Sequence, residues 1–301
     1  MSRRRAWAEL LRLPALFTVP GDALSGAVAA GARPTPRTLL AIGSSLCLYE
    51  AGMALNDWAD RAEDAAERPH RPLPSGRIRP SSALAAACAL TAAGLGLAAG
   101  AGRPALAVAT PLAATVWAYD LGLKHTPAGP VAMAAARGLD HLLGAAATTG
   151  RPEAALSSAA LLGTHTLAVT AVSRRETQGG TSLPPLAALG TTAVLARLVA
   201  GGGRGAAPAR GGPFPKGGPT PGQALRTALA AAYAVTAGRP YTHAALNPSP
   251  PLTQRAVGGG IRATIPLQAA LAARAGAGLT ALAIAALAPI GRRYAQKVSI
   301  T

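Results

Sequence analysis

Three stretches of this 301-residue chain carry no charged residue and approach or exceed the length needed to cross a membrane: 81–102, 154–173 and 275–291. A helix needs about 20 apolar residues to span a bilayer, or about 17 when the span is short. Small residues dominate these stretches, and they allow helices to pack closely in lipid. Only 14% of the residues are charged and 3% aromatic, which is low for a soluble domain of this size. The sequence therefore predicts an all-α integral membrane protein.

The apolar stretches and their charged borders predict about nine transmembrane helices around a central cavity. We expect one membrane domain over 1–301, with a Gly/Pro-rich loop at 201–222 that cannot form a packed core. If the N-terminus lies inside, a modest excess of basic residues falls on the cytoplasmic side, as in bacterial cytoplasmic membranes. The predicted spans are 13–32, 38–57, 81–101, 104–120, 127–148, 154–173, 183–202, 222–239 and 262–290.

The net charge of +17 does not indicate nucleic-acid binding, because the arginines stand mainly between apolar stretches and not on one solvated face. We expect the protein to contact membrane lipid and not to bind nucleic acid. Cys47 and Cys88 are isolated within predicted spans, so they predict neither a disulfide framework nor a metal site.

An acidic cluster at 57–67 contains five of the chain's twelve acidic residues. Asp57, Asp60 and Asp64 stand at i, i+3 and i+7, a spacing that places side chains on one face of a helix. Carboxylates so placed repel one another unless a cation lies between them, and hard oxygen ligands suit a Mg²⁺ ion shared with a substrate phosphate. The neighbouring arginines would supply the other half of a diphosphate site. The alternative is a solvated helix end with Asp–Arg pairs at the membrane surface.

The order of residues in this region, Asn56-Asp57, Asp60, Asp64 and then RPLPSG at 71–76, resembles the UbiA superfamily of intramembrane prenyltransferases. The resemblance implies that the three aspartates hold Mg²⁺ and, through it, the diphosphate of an allylic prenyl donor. It implies further that Asn56 and Arg71 orient the site and contact phosphate, and that Arg68 takes part in binding the diphosphate.

Two later elements extend the resemblance. Tyr119 and Lys124 match a Tyr…Lys element that places the ring near the reacting carbon and the amine near the diphosphate, although His125 stands where many members have arginine. The alternative is an interfacial tyrosine with a snorkelling lysine. The family usually has a second aspartate motif at this place. Here the chain has a single acid, Glu176, and the resemblance implies that it serves as a metal ligand in a motif with fewer acids. Arg174 and Arg175 either neutralise diphosphate charge there or mark the end of a helix. This departure indicates a divergent branch, such as the EboC-like one.

Ionisable residues inside membrane spans are costly and often functional, and three of those in the predicted spans are considered for such a role. Arg137 and Asp140 stand at i, i+3 and are expected to pair, while Glu50 shares a helix face with Asp57. A structural role is the simpler interpretation of each, with a place at the acceptor end of the cavity as the alternative for Glu50.

The resemblance implies Mg²⁺-dependent transfer of a prenyl group from an allylic diphosphate to an aromatic or other hydrophobic acceptor within the membrane. The site is expected to face the cytoplasm. A competing hypothesis is a non-catalytic transporter or lipid-binding subunit that kept the diphosphate motif, and the reduced second motif favours it. A plain structural membrane protein leaves the acidic cluster unexplained.

Overall fold

The computed structural model describes residues 3–174, 180–201 and 219–298, and every regular element in these ranges is helical. The predicted all-α class is therefore confirmed. The α-helices are α1 Arg3–Leu10, α2 Pro20–Ala29, α3 Pro36–Ala59, α4 Arg61–Glu67, α5 Pro80–Ala101, α6 Arg103–Leu121, α7 Gly129–Thr149, α8 Leu156–Ser173, α9 Leu183–Ala200, α10 Pro221–Leu246, α11 Pro250–Arg274 and α12 Gly278–Val298. Short 3-10 turns cover Leu13–Thr18, Leu123–His125 and Pro152–Ala155.

Proline opens many of these helices, including α3, α5, α10 and α11. Proline suits the first helical position because its fixed φ is helical and its missing N–H would have no partner there. Helix α10 adds a reciprocal cap: the Gln223 amide donates to the Thr220 hydroxyl (3.3 Å), and the Thr220 amide donates to the Gln223 side chain (2.9 Å). The helix starts are thus set by local sequence.

The chain divides into two compact units, Met1–Gly163 with Pro289–Thr301, and Thr164–Ala288. The single-domain assignment stays a prediction. In the first unit α3 packs on α5, and α7 packs on α2 and α6. In the second unit α10 packs on α9 and α11.

Glycines bring α2 and α7 of the first unit into backbone contact. A Cβ added to Gly144 would lie 2.1 Å from the Ala23 carbonyl oxygen, and one added to Gly26 would lie 1.9 Å from the His141 carbonyl oxygen. Such distances leave no room for any side chain. Small residues at membrane helix interfaces allow this close approach.

Replacing Gly144 with alanine is expected to destabilise the protein by about 1–3 kcal/mol, because the new methyl group forces α2 and α7 apart. Gly96→Ala is the matched control, since a Cβ on this exposed helical glycine of α5 meets nothing within 4 Å. Denaturation in detergent should show a loss for Gly144→Ala and none for Gly96→Ala. Equal stability of the two variants would show that α2 and α7 are not this close.

In the second unit, His165 of α8 joins two neighbouring helices. Its Nε2 lies 3.0 Å from the carbonyl oxygen of Gly260 in α11, and its Nδ1 lies 3.1 Å from the hydroxyl of Tyr233 in α10. Because the carbonyl can only accept, Nε2 carries the proton and Nδ1 accepts from the tyrosine. This buried histidine therefore has a satisfied structural role.

The last predicted span, 262–290, is long enough to be bent, and the structure divides it between α11 and α12. Helix α11 ends at Arg274, and Gly276 has a φ of 80°. The Ala277 amide bonds to the Ala272 carbonyl and the Gly276 amide to the Ala273 carbonyl, which is a Schellman termination. Glycine is favoured here because other residues adopt positive φ only with strain.

The count of nine transmembrane helices is not confirmed. Among the described residues, four helical segments are long and apolar enough to cross a membrane: Pro36–Ala59, Pro80–Ala101, Pro152–Ser173 and Leu183–Ala200. Other long helices carry buried polar residues that lower their hydropathy, such as Asp140 and His141 in α7. The first predicted span, 13–32, is a 3-10 turn followed by α2. Of the predicted loop 201–222, residues 202–218 lie outside the described residues.

Candidate active site

The acidic cluster does not form one continuous helical face. Helix α3, which carries Asp57, ends at Ala59, and the short helix α4 carries Asp64. Asp60 lies at the junction with a φ of −85° and a ψ of 4°, outside the helical region. Because the helix breaks there, Asp60 faces Lys124, whereas Asp57 and Asp64 face a different group of side chains. The expectation that all three aspartates share one helix face is therefore wrong.

Asp57 and Asp64 converge on Arg71. One guanidinium nitrogen of Arg71 lies 2.7 Å from a carboxylate oxygen of Asp64 and 3.6 Å from one of Asp57. Both aspartate side chains are buried, with 6% and 4% of their surface exposed. Arg12 donates to Asp57 at 3.1 Å, and Arg68 lies 3.6 Å from Asp64. Three guanidinium groups thus surround two buried carboxylates, an arrangement whose cations are suited to binding phosphate oxygens.

Asp60 belongs to a second group of charged side chains. The Lys124 ammonium forms an ion pair with Asp60, and only 9% of the lysine side chain is exposed. The ligand atoms of Asp60, Glu63 and His125 all lie within 4.8 Å of one another. Two carboxylates and an imidazole at this separation can hold a divalent cation, and carboxylate oxygens are ligands that Mg²⁺ accepts. Of the four predicted metal ligands, this group contains Asp60, so the predicted Mg²⁺ site stays a prediction.

The RPLPSG segment forms a compact loop that positions Arg71. The Ser75 hydroxyl and amide both donate to the Arg71 carbonyl, and the Gly76 amide donates to the Leu73 carbonyl. Gly76 has a φ of 72°, which explains glycine at this position. Arg77 donates to both carboxylate oxygens of Glu9 in α1, at 2.6 and 3.1 Å, and this hydrogen bonding holds the pKa of Glu9 below its usual value.

A cavity of 270 Å³ lies between α3, α6 and α7 of the first unit. Helix α3 lines it with Ser45, Tyr49, Gly52 and Asn56, which follow one another at helical spacing and cover about 16 Å of the helix axis. Arg12 also lines this cavity while it donates to Asp57, so the cavity adjoins the acidic cluster. The lining is completed by Leu48, Met53, Leu112, Val116, Tyr119, Asp120, Met133, Ala136, Arg137 and Asp140.

The end of the cavity next to the acidic cluster contains Tyr119, Asn56 and Asp120. The Asn56 amide donates to the buried Asp120 carboxylate at 3.1 Å, which joins α3 to α6. This contact fixes the side chain of Asn56 in the cavity wall. Tyr119 is half-buried and lines the cavity.

The deep end of the cavity holds a buried polar network. Arg137 of α7 forms an ion pair with Asp22 of α2, whose side chain is fully buried. Asp140 accepts a hydrogen bond from the hydroxyl of Ser45. The expected pairing partner of Arg137 was Asp140, but the structure adds Asp22, which lies more than a hundred residues away in sequence. The network links α2, α3 and α7.

The region of the predicted second motif belongs to the second unit. Arg174 is exposed at the end of α8, and its amide donates to the Thr170 carbonyl at 3.3 Å. Arg175 and Glu176 lie outside the described residues. The predicted roles of all three remain predictions.

Sequence reasoning missed four contributors to this site: Arg12, Asp120, Glu63 and His125. Arg12 lies in the basic segment before the first span, and its distance in sequence from Asp57 gave no signal. Asp120 lies within the Tyr119…Lys124 element and His125 directly follows it, so both could have been suspected from position alone. Glu63 was visible as part of the acidic cluster but had no assigned partner.

The fold and the site together define a helical membrane-type protein that places carboxylates and guanidinium groups beside an apolar cavity. Two solved structures share this fold at 17% sequence identity. One comes from work described as structural and mechanistic insights into the biosynthesis of digeranylgeranylglyceryl phosphate synthase in membranes. The two structures superpose with a TM-score of 0.61, and the match covers 91% of this chain and 99% of that one. The other is an apo structure of a UbiA homolog from Aeropyrum pernix K1, with a TM-score of 0.63 over 88% and 96% of the two chains.

The sequence model of the UbiA prenyltransferase family matches residues 16–201, more than half of the chain, and the chain therefore belongs to this family. Similar curated proteins are named digeranylgeranylglyceryl phosphate synthase. The one from Methanopyrus kandleri is 36% identical over 128 residues, 41% of this chain and 45% of that protein. The one from Natronomonas pharaonis is 31% identical over 170 residues, 56% and 61% of the two chains. The chain thus spans about half the length of these relatives. The predicted family is confirmed, whereas the predicted branch stays a prediction.

Proposed function

We propose that this protein transfers a prenyl group from an allylic prenyl diphosphate to a hydrophobic acceptor within the membrane, with Mg²⁺ as its cofactor. The observation that carries the proposal is the convergence of Arg12, Arg68 and Arg71 on two buried aspartates beside an apolar cavity. The positive charges of the arginines suit the diphosphate of the donor, and the cavity, whose surface is mostly apolar, suits its prenyl chain. Membership of a prenyltransferase family supports the same reaction.

Each group has a proposed role toward the donor. Asp57, Asp60 and Asp64 would hold Mg²⁺, with Glu176 as a further ligand, and the bound ion would neutralise charge on the departing diphosphate. The cationic side chains would add fixed positive charge where the leaving group becomes negative. These side chains are Arg68, Arg71, Lys124, Arg174 and Arg175.

The cavity is proposed to protect the prenyl carbocation that forms when the carbon–oxygen bond breaks. Most of the surface of its wall is apolar and would disfavour water, and the face of the Tyr119 ring attracts positive charge. Asn56, held by Asp120, keeps the wall in place next to the diphosphate. The acceptor then bonds to the cation.

The relatives' name supports a particular pair of substrates as the first to test: geranylgeranyl diphosphate as donor and geranylgeranylglyceryl phosphate as acceptor. We propose further that the site faces the cytoplasm of a bacterial membrane. With the N-terminus inside and two predicted spans before it, segment 58–80 is expected on the cytoplasmic side, and its many arginines agree with the positive-inside rule.

The proposal is tested by incubating the purified protein in detergent with radiolabelled geranyl, farnesyl or geranylgeranyl diphosphate, Mg²⁺ and a set of acceptors. The set contains geranylgeranylglyceryl phosphate and 4-hydroxybenzoate. The expected result is a labelled product that requires both Mg²⁺ and one acceptor. Failure to form product with any donor–acceptor pair, from protein that is folded, would contradict the proposed transfer.

A further inference from the structure

Arg12 has a backbone conformation that arginine rarely adopts. Its φ is 47° and its ψ is 44°, and among the residues that the structure describes it is the only one besides glycine with a positive φ. This left-handed region brings the Cβ atom too close to the backbone, so glycine is favoured there. Strained backbone of this kind persists where surrounding contacts hold it, and it occurs most often at active sites and ligand-binding segments. The contacts of Arg12 should therefore show what this conformation achieves.

Helix α1, which ends just before Arg12, is fixed to other elements of the first unit on two sides. On its apolar side, Ala6 and Leu10 lie in a buried cluster whose other members include Ala54, Leu55, Leu73 and Ile78. On its polar side, Glu9 accepts two hydrogen bonds from Arg77. The Arg12 amide donates to the Glu9 carbonyl at 3.3 Å, so the backbone at Arg12 is tied to this anchored helix. The origin of the Arg12 side chain is therefore fixed relative to α3 and the RPLPSG loop.

Arg12 differs from the other two arginines at the buried aspartates because it also forms part of the cavity wall. Its Nη2 donates to a carboxylate oxygen of Asp57 at 3.1 Å, and 41% of its side chain is exposed. Arg68 and Arg71 contact the same cluster but are not among the described residues that line the cavity. A guanidinium carries five N–H donors in a planar fork, so a contact through one nitrogen leaves another edge that can bond a phosphate. Arg12 therefore lies where the charged cluster meets the cavity.

This boundary is where the proposed reaction would break a bond. If the diphosphate lies at the arginines and aspartates, and the prenyl chain lies in the cavity, the oxygen that joins them must lie between the two. When the carbon–oxygen bond breaks, its electron pair stays on that oxygen and leaves with diphosphate. Negative charge therefore develops at the boundary, where a fixed hydrogen-bond donor has its largest effect on a rate.

We propose that Arg12 is a catalytic residue that hydrogen-bonds the phosphate nearest the prenyl carbon and stabilises the leaving oxygen, an inference that rests on the proposed prenyl transfer. The guanidinium stays protonated throughout, so it supplies hydrogen bonds and positive charge but no proton. Because α1 and the left-handed turn fix its position before the bond breaks, little reorganisation is needed as the charge develops. The strained conformation of Arg12 thus has a function.

The test uses Arg12→Gly, which removes the guanidinium and relieves the backbone strain. With the donor and acceptor that the wild-type protein turns over, kcat should fall about 10²–10³-fold, as when one donor to a developing oxyanion is removed. Thermal stability without donor should not fall, because glycine adopts a positive φ freely. Guanidinium chloride, added below denaturing concentrations, should restore part of the lost rate. Arg12→Lys keeps the charge but not the planar fork, and its kcat should lie between the two.

The matched control is Arg4→Gln, at an exposed arginine of α1, which should behave as wild type in activity and stability. A wild-type protein that shows neither prenyl transfer nor a rise in Tm with geranylgeranyl diphosphate and Mg²⁺ overturns both this inference and the function on which it rests. A wild-type protein that transfers, with kcat of Arg12→Gly within about threefold of it, overturns the role of Arg12 alone. A loss of activity that guanidinium does not restore, accompanied by a fall in thermal stability without donor, also overturns that role, because Arg12 would then only support the fold.

Discussion

Replacing Asp60 with asparagine is expected to lower prenyl transfer about 10³-fold and leave the protein folded. The asparagine keeps the shape of the side chain but removes the charge that pairs with Lys124 and that would bind Mg²⁺. Removal of a single group that stabilises charge in a transition state commonly costs 10²–10³ in kcat. Asp57→Asn should have a similar effect because it removes a buried carboxylate of the same cluster. Rates of product formation and the thermal stability of each variant give the comparison.

The controls for this prediction come from the same region of the chain. Glu67→Gln, at an exposed acid of α4, should retain activity. Glu176→Gln should cost less than Asp60→Asn, because the second motif contains only this one acid. A fully active Asp57→Asn, Asp60→Asn double variant would contradict the proposed metal site.

Replacing Arg137 with methionine is expected to destabilise the protein by about 3–5 kcal/mol. The substitution leaves the fully buried Asp22 carboxylate without its ion pair, next to the second buried carboxylate of Asp140. Removing one partner of a buried pair is costly because the remaining charge stays desolvated. Chemical denaturation in detergent gives the free energy of unfolding.

A double variant shows whether the ion pair is the cause. Asp22→Asn combined with Arg137→Met should recover part of the lost stability, since residue 22 no longer carries a buried charge without its ion pair. Arg197→Met, at an exposed arginine of α9, should change stability little. A loss in Arg137→Met no larger than in Arg197→Met would show that the pair with Asp22 does not support the fold.

The sequence predicted most helices well because their starts and ends are local. Uncharged stretches and opening prolines place α3 and α5 within two residues of the expected spans. The last span was expected to be able to bend, but the break could not be placed at Gly276, because a glycine among small residues has the composition of a continuous span. The split between α3 and α4 was missed for a related reason, since Asp60 continues the helical spacing of carboxylates although the helix ends there.

The acidic residues of the site were predicted from the sequence, but several of the residues that pair with them were not. Asp57 and Asp64 could be grouped from their spacing, and RPLPSG placed Arg71 close to them. The contacts of Arg12 with Asp57 and of Asp22 with Arg137 join residues distant in sequence, so they depend on how the helices pack. Neither carboxylate oxygen of the buried Glu50 has a hydrogen-bond partner among the described residues. This too depends on the packing, because a sequence shows an acid in a span but not whether another helix supplies its partner.

The most direct test of the proposed function is the thermal stability of the purified protein with geranyl, farnesyl and geranylgeranyl diphosphates, each with and without Mg²⁺. A ligand that binds only the folded protein stabilises it by about 2.7 kcal/mol at a hundred times its Kd. The proposed site predicts a Mg²⁺-dependent rise in Tm with at least one donor, and loss of this rise in Asp60→Asn. No rise with any donor, or the same rise without Mg²⁺ and in the variant, would contradict it.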